Sequence, residues 1–136
     1  MKSILIINGA NLNLLGKRET HIYGEERFED YLEQLRKEFN DCDIEYFQSN
    51  IEGEIVNTLQ QFKGDLIIIN AGGYTHTSVV IRDCIAAIDI PCIEVHISQI
   101  FSREGFRKKS LLAPVCKGSI IGFGFLGYRL AIQSIL

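Results

Sequence analysis

Five strand-like runs punctuate the chain, at Ser3 to Ile7, Asp43 to Phe47, Leu66 to Ile69, Cys92 to Val95 and Ser119 to Gly122. Between them the apolar positions recur at helical spacing, which makes a repeated βα pattern. Ile4 to Ile7 carries no polar residue and reads as a strand covered on both faces. In the first helical segment Phe28, Leu32, Leu35 and Phe39 form one apolar stripe with charged residues opposite, and Asn40-Asp41 ends it. The second helix is expected over Gly53 to Phe62, with Ile55, Leu59 and Phe62 on its inner face and Lys63-Gly64-Asp65 as its stop.

The third helical segment, Thr77 to Ile88, has almost no polar face: Val79, Val80, Ile81, Cys84, Ile85, Ala86, Ala87 and Ile88 surround only two charges, Arg82 and Asp83. A helix of this kind is buried on more than one side. In so small a chain the second partner is expected to be another subunit. Because crossovers between parallel strands are right-handed, alternating strands and helices of this length predict an α/β three-layer sandwich. The expected topology is flavodoxin-like, a five-stranded parallel sheet of order 2-1-3-4-5.

Composition narrows the partners. The chain has 136 residues, 46% of them hydrophobic and 23% charged, enough for one real core and no linker. A net charge of −3 gives no electrostatic footprint for nucleic acid, although Arg103, Arg107, Lys108 and Lys109 form a local basic cluster suited to a small anion. No apolar run is long enough to span a membrane, and the first residues lack the apolar core and cleavage site of a secretory signal. The expected location is the cytoplasm. Cys42, Cys84, Cys92 and Cys116 form no C-x-x-C pair, so buried free thiols are expected and a metal site is not.

Chemistry gathers at the strand ends. Asn8, Asn11 and Asn13 follow the first strand, where open α/β sheets hold their ligands. Arg18 and Tyr23 share the glycine-bounded loop that comes next. A phenol titrates near ~10 in water, and an adjacent guanidinium stabilises its anion, so this pairing can turn a tyrosine into a usable base. The third strand runs into Asn70-Ala-Gly-Gly-Tyr-Thr-His-Thr-Ser78, in which the glycines allow close approach of a ligand and Thr75 or Thr77 can cap the next helix. His76 then shares a helix face with Asp83, either as a cap or surface histidine or as a ligand group. Asp83 on an apolar helix needs a partner.

The fourth strand delivers Glu94-Val-His-Ile-Ser98, and alternation places Glu94, His96 and Ser98 on one side. Glu94 can orient the His96 ring and fix its tautomer, as a general acid requires, or the pair can be a solvated strand end. Arg107 and Ser110 follow in a polar loop, the first suited to clamping oxygens and the second to a cap or turn. Gly122-Phe-Gly124-Phe-Leu-Gly127 satisfies the pattern of a dinucleotide fingerprint, but no second strand with an acidic residue follows it. Those glycines are expected to serve a tight turn and close helix packing.

Taken together, Gly9 to Gly24 with Asn11, Arg18 and Tyr23, Asn70 to Ser78 with Arg82-Asp83, and Glu94 to Ser98 with Arg103 to Arg107 resemble the type II 3-dehydroquinate dehydratases, in order and along the whole chain. The resemblance implies a single domain over 1–136 with a lid at about 17–24, a dodecamer built from trimers, and cofactor-independent dehydration of 3-dehydroquinate to 3-dehydroshikimate through an enolate. It implies Tyr23 as the base with Arg18 stabilising its phenolate, Asn11 holding the enolate through water, and His96, oriented by Glu94, protonating the departing hydroxyl. Asn70, Ile97 and Ser98 correspond to the carboxylate-binding set, and His76, Arg107 and Asp83 to the groups on the ring hydroxyls, the aspartate coming from a neighbouring subunit.

Ala10, Thr20 and Ala71-Gly72-Gly73 stand where the family commonly has Pro, Pro and Pro-Gly-Ala, which frees the lid and the Asn70 loop without removing a polar group. The same reaction serves aromatic biosynthesis or quinate breakdown. A receiver-like signalling module would need acidic residues where Asn8, Asn11 and Asn13 stand. A flavin carrier would need a hydroxyl-rich phosphate loop after the first strand.

Overall fold

The computed structural model describes residues 1–17, 21 and 25–136. Five strands, β1 (Lys2–Asn8), β2 (Cys42–Gln48), β3 (Leu66–Asn70), β4 (Cys92–His96) and β5 (Gly118–Ile121), form one sheet in the order β2-β1-β3-β4-β5. Every adjacent pair is parallel. The helices α1 (Phe28–Glu38), α2 (Glu52–Gln61), α3 (Val79–Ala87) and α4 (Leu126–Gln133) cover the two faces. This is the expected α/β sandwich with the expected strand order.

Strand alternation divides the core. Ile4, Ile6, Leu66, Ile68, Ile93 and Val95 face α1 and α4, where Phe28, Leu32, Leu35, Tyr128, Ala131 and Ile132 are buried against them. Leu5, Ile7, Ile67 and Ile69 face the other way, onto Ile55 and Leu59 of α2 and Ile81, Cys84 and Ile85 of α3. Each such side chain contributes about 1.5–3 kcal/mol of burial, so the central strands β1 and β3, apolar on both faces, anchor the sheet. Their polar ends, Asn8 and Asn70, lie side by side in register.

Two glycines bring the loops beyond these strands into contact. A Cβ on Gly9 would lie 2.3 Å from the carbonyl oxygen of Ala71, and one on Gly72, whose φ is +63°, would lie 2.8 Å from that of Ala10. The two backbones therefore touch, fixing the floor of a cleft at the carboxyl edge of the sheet.

The third helix begins later than its apolar pattern suggests. Gly72–His76 is a separate 3-10 turn, and the cap is Ser78, whose Oγ accepts from Ile81 N at 2.9 Å, not Thr75 or Thr77. His76 accordingly does not lie on the helix with Asp83, and the shared face inferred from their spacing does not exist. Ile81, Cys84 and Ile85 face inward, while Val79 and Val80 are 56% and 54% exposed. Cys84 and Cys92 are buried, Cys42 and Cys116 only half-buried; all four are free thiols.

At the start of α4, Gly122 and Gly124 take φ of +90° and +60°, and a Cβ on Gly127 would lie 3.0 Å from Val95 Cγ1. The glycine pattern is thus a turn and a close helix contact. Among the described residues no helix is long and apolar enough to cross a membrane.

Candidate active site

A cavity of about 150 Å³ opens at the carboxyl edge of the sheet. The loop after β1 lines it with Ala10, Asn11, Leu12, Leu14 and Leu15, and the loop after β3 with Asn70, Gly72, Gly73 and His76. His96, Ile97 and Ser98 come from the end of β4, and Ile100, Arg103 and Arg107 from the segment beyond. Eight of the expected site residues lie at or directly behind this cavity: Asn11, Asn70, His76, His96, Ile97, Ser98 and Arg107 line it, and Glu94 backs His96.

Arg18 and Tyr23 lie outside the described residues, as does Thr20. Asp83 is not among the lining residues; it is exposed on α3 and pairs with Arg82, Nη1 to Oδ1 at 3.2 Å. Ser98 lies beyond the end of β4, so strand alternation does not place it, although the cavity does.

Glu94 is 1% exposed, an expensive place for a carboxylate unless its oxygens are occupied. They are. Oε2 accepts from His96 Nε2 at 3.0 Å and from Ser110 Oγ at 2.8 Å, and Oε1 accepts from Ser119 Oγ at 2.5 Å. Ser110 Oγ is itself fixed by the backbone amides of Leu112 and Ala113, at 3.2 and 3.0 Å. Burial pushes the Glu94 carboxyl upward, but the hydrogen bond and charge of His96 and the two serine hydroxyls outweigh it, leaving it below the ordinary carboxylate range. An ionised Glu94 requires the proton on His96 Nε2, so Nδ1 is the nitrogen available to exchange a proton with a ligand.

A group held below its unfolded pKa contributes stability that is present above the unfolded value and lost as pH falls through the folded one. The advantage of the wild type over Glu94→Gln in thermal unfolding, about 1.5–3 kcal/mol for a charged hydrogen-bonded group, should therefore be full above the ordinary value of 4.5 and shrink below it. A difference that grows on acidification would contradict an ionised Glu94.

The other polar groups are equally determined. His76 Nδ1 meets the Lys109 carbonyl oxygen at 2.8 Å, which makes Nδ1 the donor and, in the neutral ring, leaves Nε2 an acceptor. Asn11 adopts the left-handed region with φ 69°, and its amide donates to Asn50 Oδ1 at 3.0 Å. Gln48 Nε2 donates to the same Asn50 oxygen and to the Gly9 carbonyl, both at 3.2 Å, so the end of β2 braces the first loop. Arg107 stacks 4.9 Å from the Phe106 ring centroid and donates to Glu104 at 3.1 Å, while Arg103 Nη1 lies 3.5 Å from Ser98 Oγ. The lining thus combines the guanidinium groups of Arg103 and Arg107, both paired with Glu104, with the carboxamides of Asn11 and Asn70. Among the described residues no cluster of three His, Cys, Asp or Glu side chains could hold a metal ion.

Ser119, Tyr128, Gln48 and Asn50 support the site without any motif around them. The available signal was register: Ser119 pairs with Glu94 across β4 and β5, and Gln48 with Asn8 across β1 and β2.

The family described as dehydroquinase class II matches residues 2–136. A 3-dehydroquinate dehydratase from Nitratiruptor sp. is 55% identical over 136 residues, covering 97% of this chain and 87% of that protein. One from Campylobacter jejuni is 55% identical over 137 residues, covering 98% and 86%. Among solved structures, the type II dehydroquinase of Butyrivibrio crossotus superposes with a TM-score of 0.93 at 44% identity, covering 98% of this chain and 97% of that one. That of Propionibacterium acnes gives 0.89 at 35% identity, covering 99% and 96%.

Proposed function

The chain belongs to the class II dehydroquinase family, and from that membership we propose that its cavity removes water from 3-dehydroquinate to give 3-dehydroshikimate, as a hydro-lyase of the shikimate route to aromatic amino acids. The observation that carries the reading is the buried, ionised Glu94 behind His96 at the wall of a cavity that also holds Asn11, Asn70 and Arg107. A proton donor, an array of amides and a cation stand around one small volume.

The carbonyl at C3 of the substrate acidifies the proton at C2. Tyr23, as phenolate beside Arg18, takes that proton, and the electron pair moves onto the carbonyl oxygen. Asn11, through a water molecule, stabilises the enolate oxygen, a charge absent from the ground state and therefore effective in lowering the barrier. When the enolate collapses, the C1 hydroxyl leaves with the proton from His96 Nδ1, so one double bond forms and one water departs. Tyr23 then releases the C2 proton to solvent and His96 regains its Nδ1 proton from solvent, while Glu94 keeps the Nε2 proton in place. Asn70 with Ile97 and Ser98 holds the carboxylate, and His76 and Arg107 hold ring hydroxyls, joined by Asp83 of a neighbouring subunit. The chemistry calls for no cofactor.

In this reading residues 1–136 form one domain, segment 17–24 closes over the substrate as a lid, and the enzyme works in the cytoplasm as a dodecamer of trimers. The exposed Val79 and Val80 beside Asp83 favour such an assembly, because a neighbour would cover them and take up the carboxylate. The deciding experiment adds 3-dehydroquinate to purified protein with no metal supplied. Absorbance should rise as the conjugated enone forms; a folded, assembled protein that produces no rise refutes the activity.

A further inference from the structure

Asn70 brings the end of β3 into the cavity, and it is held from behind by a line of hydrogen bonds. Its Oδ1 accepts from Gly72 N at 3.2 Å, and its Nδ2 donates to the Tyr128 hydroxyl oxygen at 3.0 Å. Tyr128 in turn donates to Asn8 Oδ1 at 2.7 Å, and Asn8 Nδ2 donates to the Tyr46 hydroxyl at 3.3 Å. Asn8, Asn70 and Tyr128 are at most 4% exposed, so water does not substitute for any of these partners. Burial pushes both phenols up, Tyr46 to about 12, which keeps each in its neutral, one-proton form.

The line has one sense. A carboxamide can turn over, but the N–H of Gly72 cannot become an acceptor, so it pins Asn70 Oδ1. Tyr128 has a single proton, which it gives to Asn8, and its oxygen therefore accepts from Asn70. A reversed Asn70 would set its NH2 against the Gly72 N–H, two donors facing each other in a buried site. Of the two protons on Asn70 Nδ2, Tyr128 receives one and the other is left for a ligand in the cavity.

We propose that Tyr128 is a positioning residue: through Asn70 it makes this corner of the cavity a hydrogen-bond donor and so sets the preference for a carboxylate over a neutral group there. The proposal rests on the reading of Asn70 as a carboxylate ligand given above. Tyr128 touches no substrate; it acts by holding in place the Nδ2 end of an amide whose Oδ1 end is pinned by Gly72 N.

The test compares the binding of quinate with that of its neutral carboxamide. Tyr128→Phe removes only the hydroxyl, and the ratio of the two Kd values should fall about tenfold, about 1.4 kcal/mol. KM for 3-dehydroquinate should rise by a similar factor while kcat changes little, because the contact is the same in ground and transition states. A purely structural defect would lower the active fraction and leave the Kd ratio alone, which would overturn the proposal.

Asn70→Ala separates the two levels of the argument. It should lower the ratio by itself, and adding Tyr128→Phe should lower it no further. If Asn70→Ala keeps the wild-type ratio, the carboxylate reading of Asn70 fails and the proposal with it. If Asn70→Ala lowers the ratio and Tyr128→Phe does not, the proposal alone fails. Should Tyr128→Phe not fold, neutron diffraction from deuterium-exchanged wild-type crystals decides: deuterons on Asn70 facing Tyr128 support the proposal, and the carbonyl facing Tyr128 refutes it.

Discussion

Replacing His96 with alanine is expected to lower kcat by about a thousandfold, the middle of the range for loss of a positioned general acid. The cause is specific to one half of the reaction. Hydroxide is a poor leaving group, and without the Nδ1 proton the enolate has no way to expel it as water. In the proposed reaction Tyr23, not His96, forms the enolate, so the variant should still exchange the C2 proton of 3-dehydroquinate for deuterium from heavy water, faster than it forms product. Mass spectrometry of recovered substrate reads the exchange directly. Turnover within tenfold of wild type would remove His96 from the role of acid, and loss of exchange together with turnover would place it at the first step.

Tyr23→Phe is expected to lower turnover by at least about a thousandfold and to abolish C2 exchange, since no other group is assigned to take that proton. Asp83→Ala should also be poorly active, through weakened binding of a ring hydroxyl. If Asp83 serves a neighbouring site, the two defects can be complemented. Equal amounts of the two variants, dissociated and reassembled together, should give complete sites wherever Tyr23 comes from the Asp83→Ala chain and Asp83 from the Tyr23→Phe chain. Random pairing makes that roughly a quarter of all sites, well above the mean of the parents. Native mass spectrometry confirms the mixing and reports the subunit number; mixed assemblies without recovered activity would mean that Asp83 acts within its own subunit or not at all.

The sheet was legible because β1 and β3 are short apolar runs with polar ends, and α1 because its stripe of Phe28, Leu32 and Leu35 is regular. The pairing of Glu94 with His96 was legible for the same reason: two residues apart on one strand, they share a face. The start of α3 was not. Thr75, Thr77 and Ser78 are all competent caps, and only the 3-10 turn before the helix selects Ser78. That turn also removed His76 from the face of Asp83. Ser110 was legible as a turn residue, but its bond to Glu94, like that of Ser119, was not, because strand register and loop path, not local pattern, decide what these serines meet. Arg103 was visible as part of a basic cluster, but nothing in its neighbours marked it as a wall of the cavity.

The Tyr128–Asn8 hydrogen bond joins residues 120 positions apart in sequence. During synthesis β1 emerges first, yet its neighbour β3 follows some sixty residues later, and the phenol that orients Asn70 later still. Contacts of such long range are slow to form, because the intervening chain must first be ordered. Until α4 has been synthesised and docked, the Nδ2 end of Asn70 lacks its Tyr128 partner. The ability to recognise a carboxylate is therefore among the last properties the polypeptide acquires, and partly folded chains have little means of sequestering the metabolite.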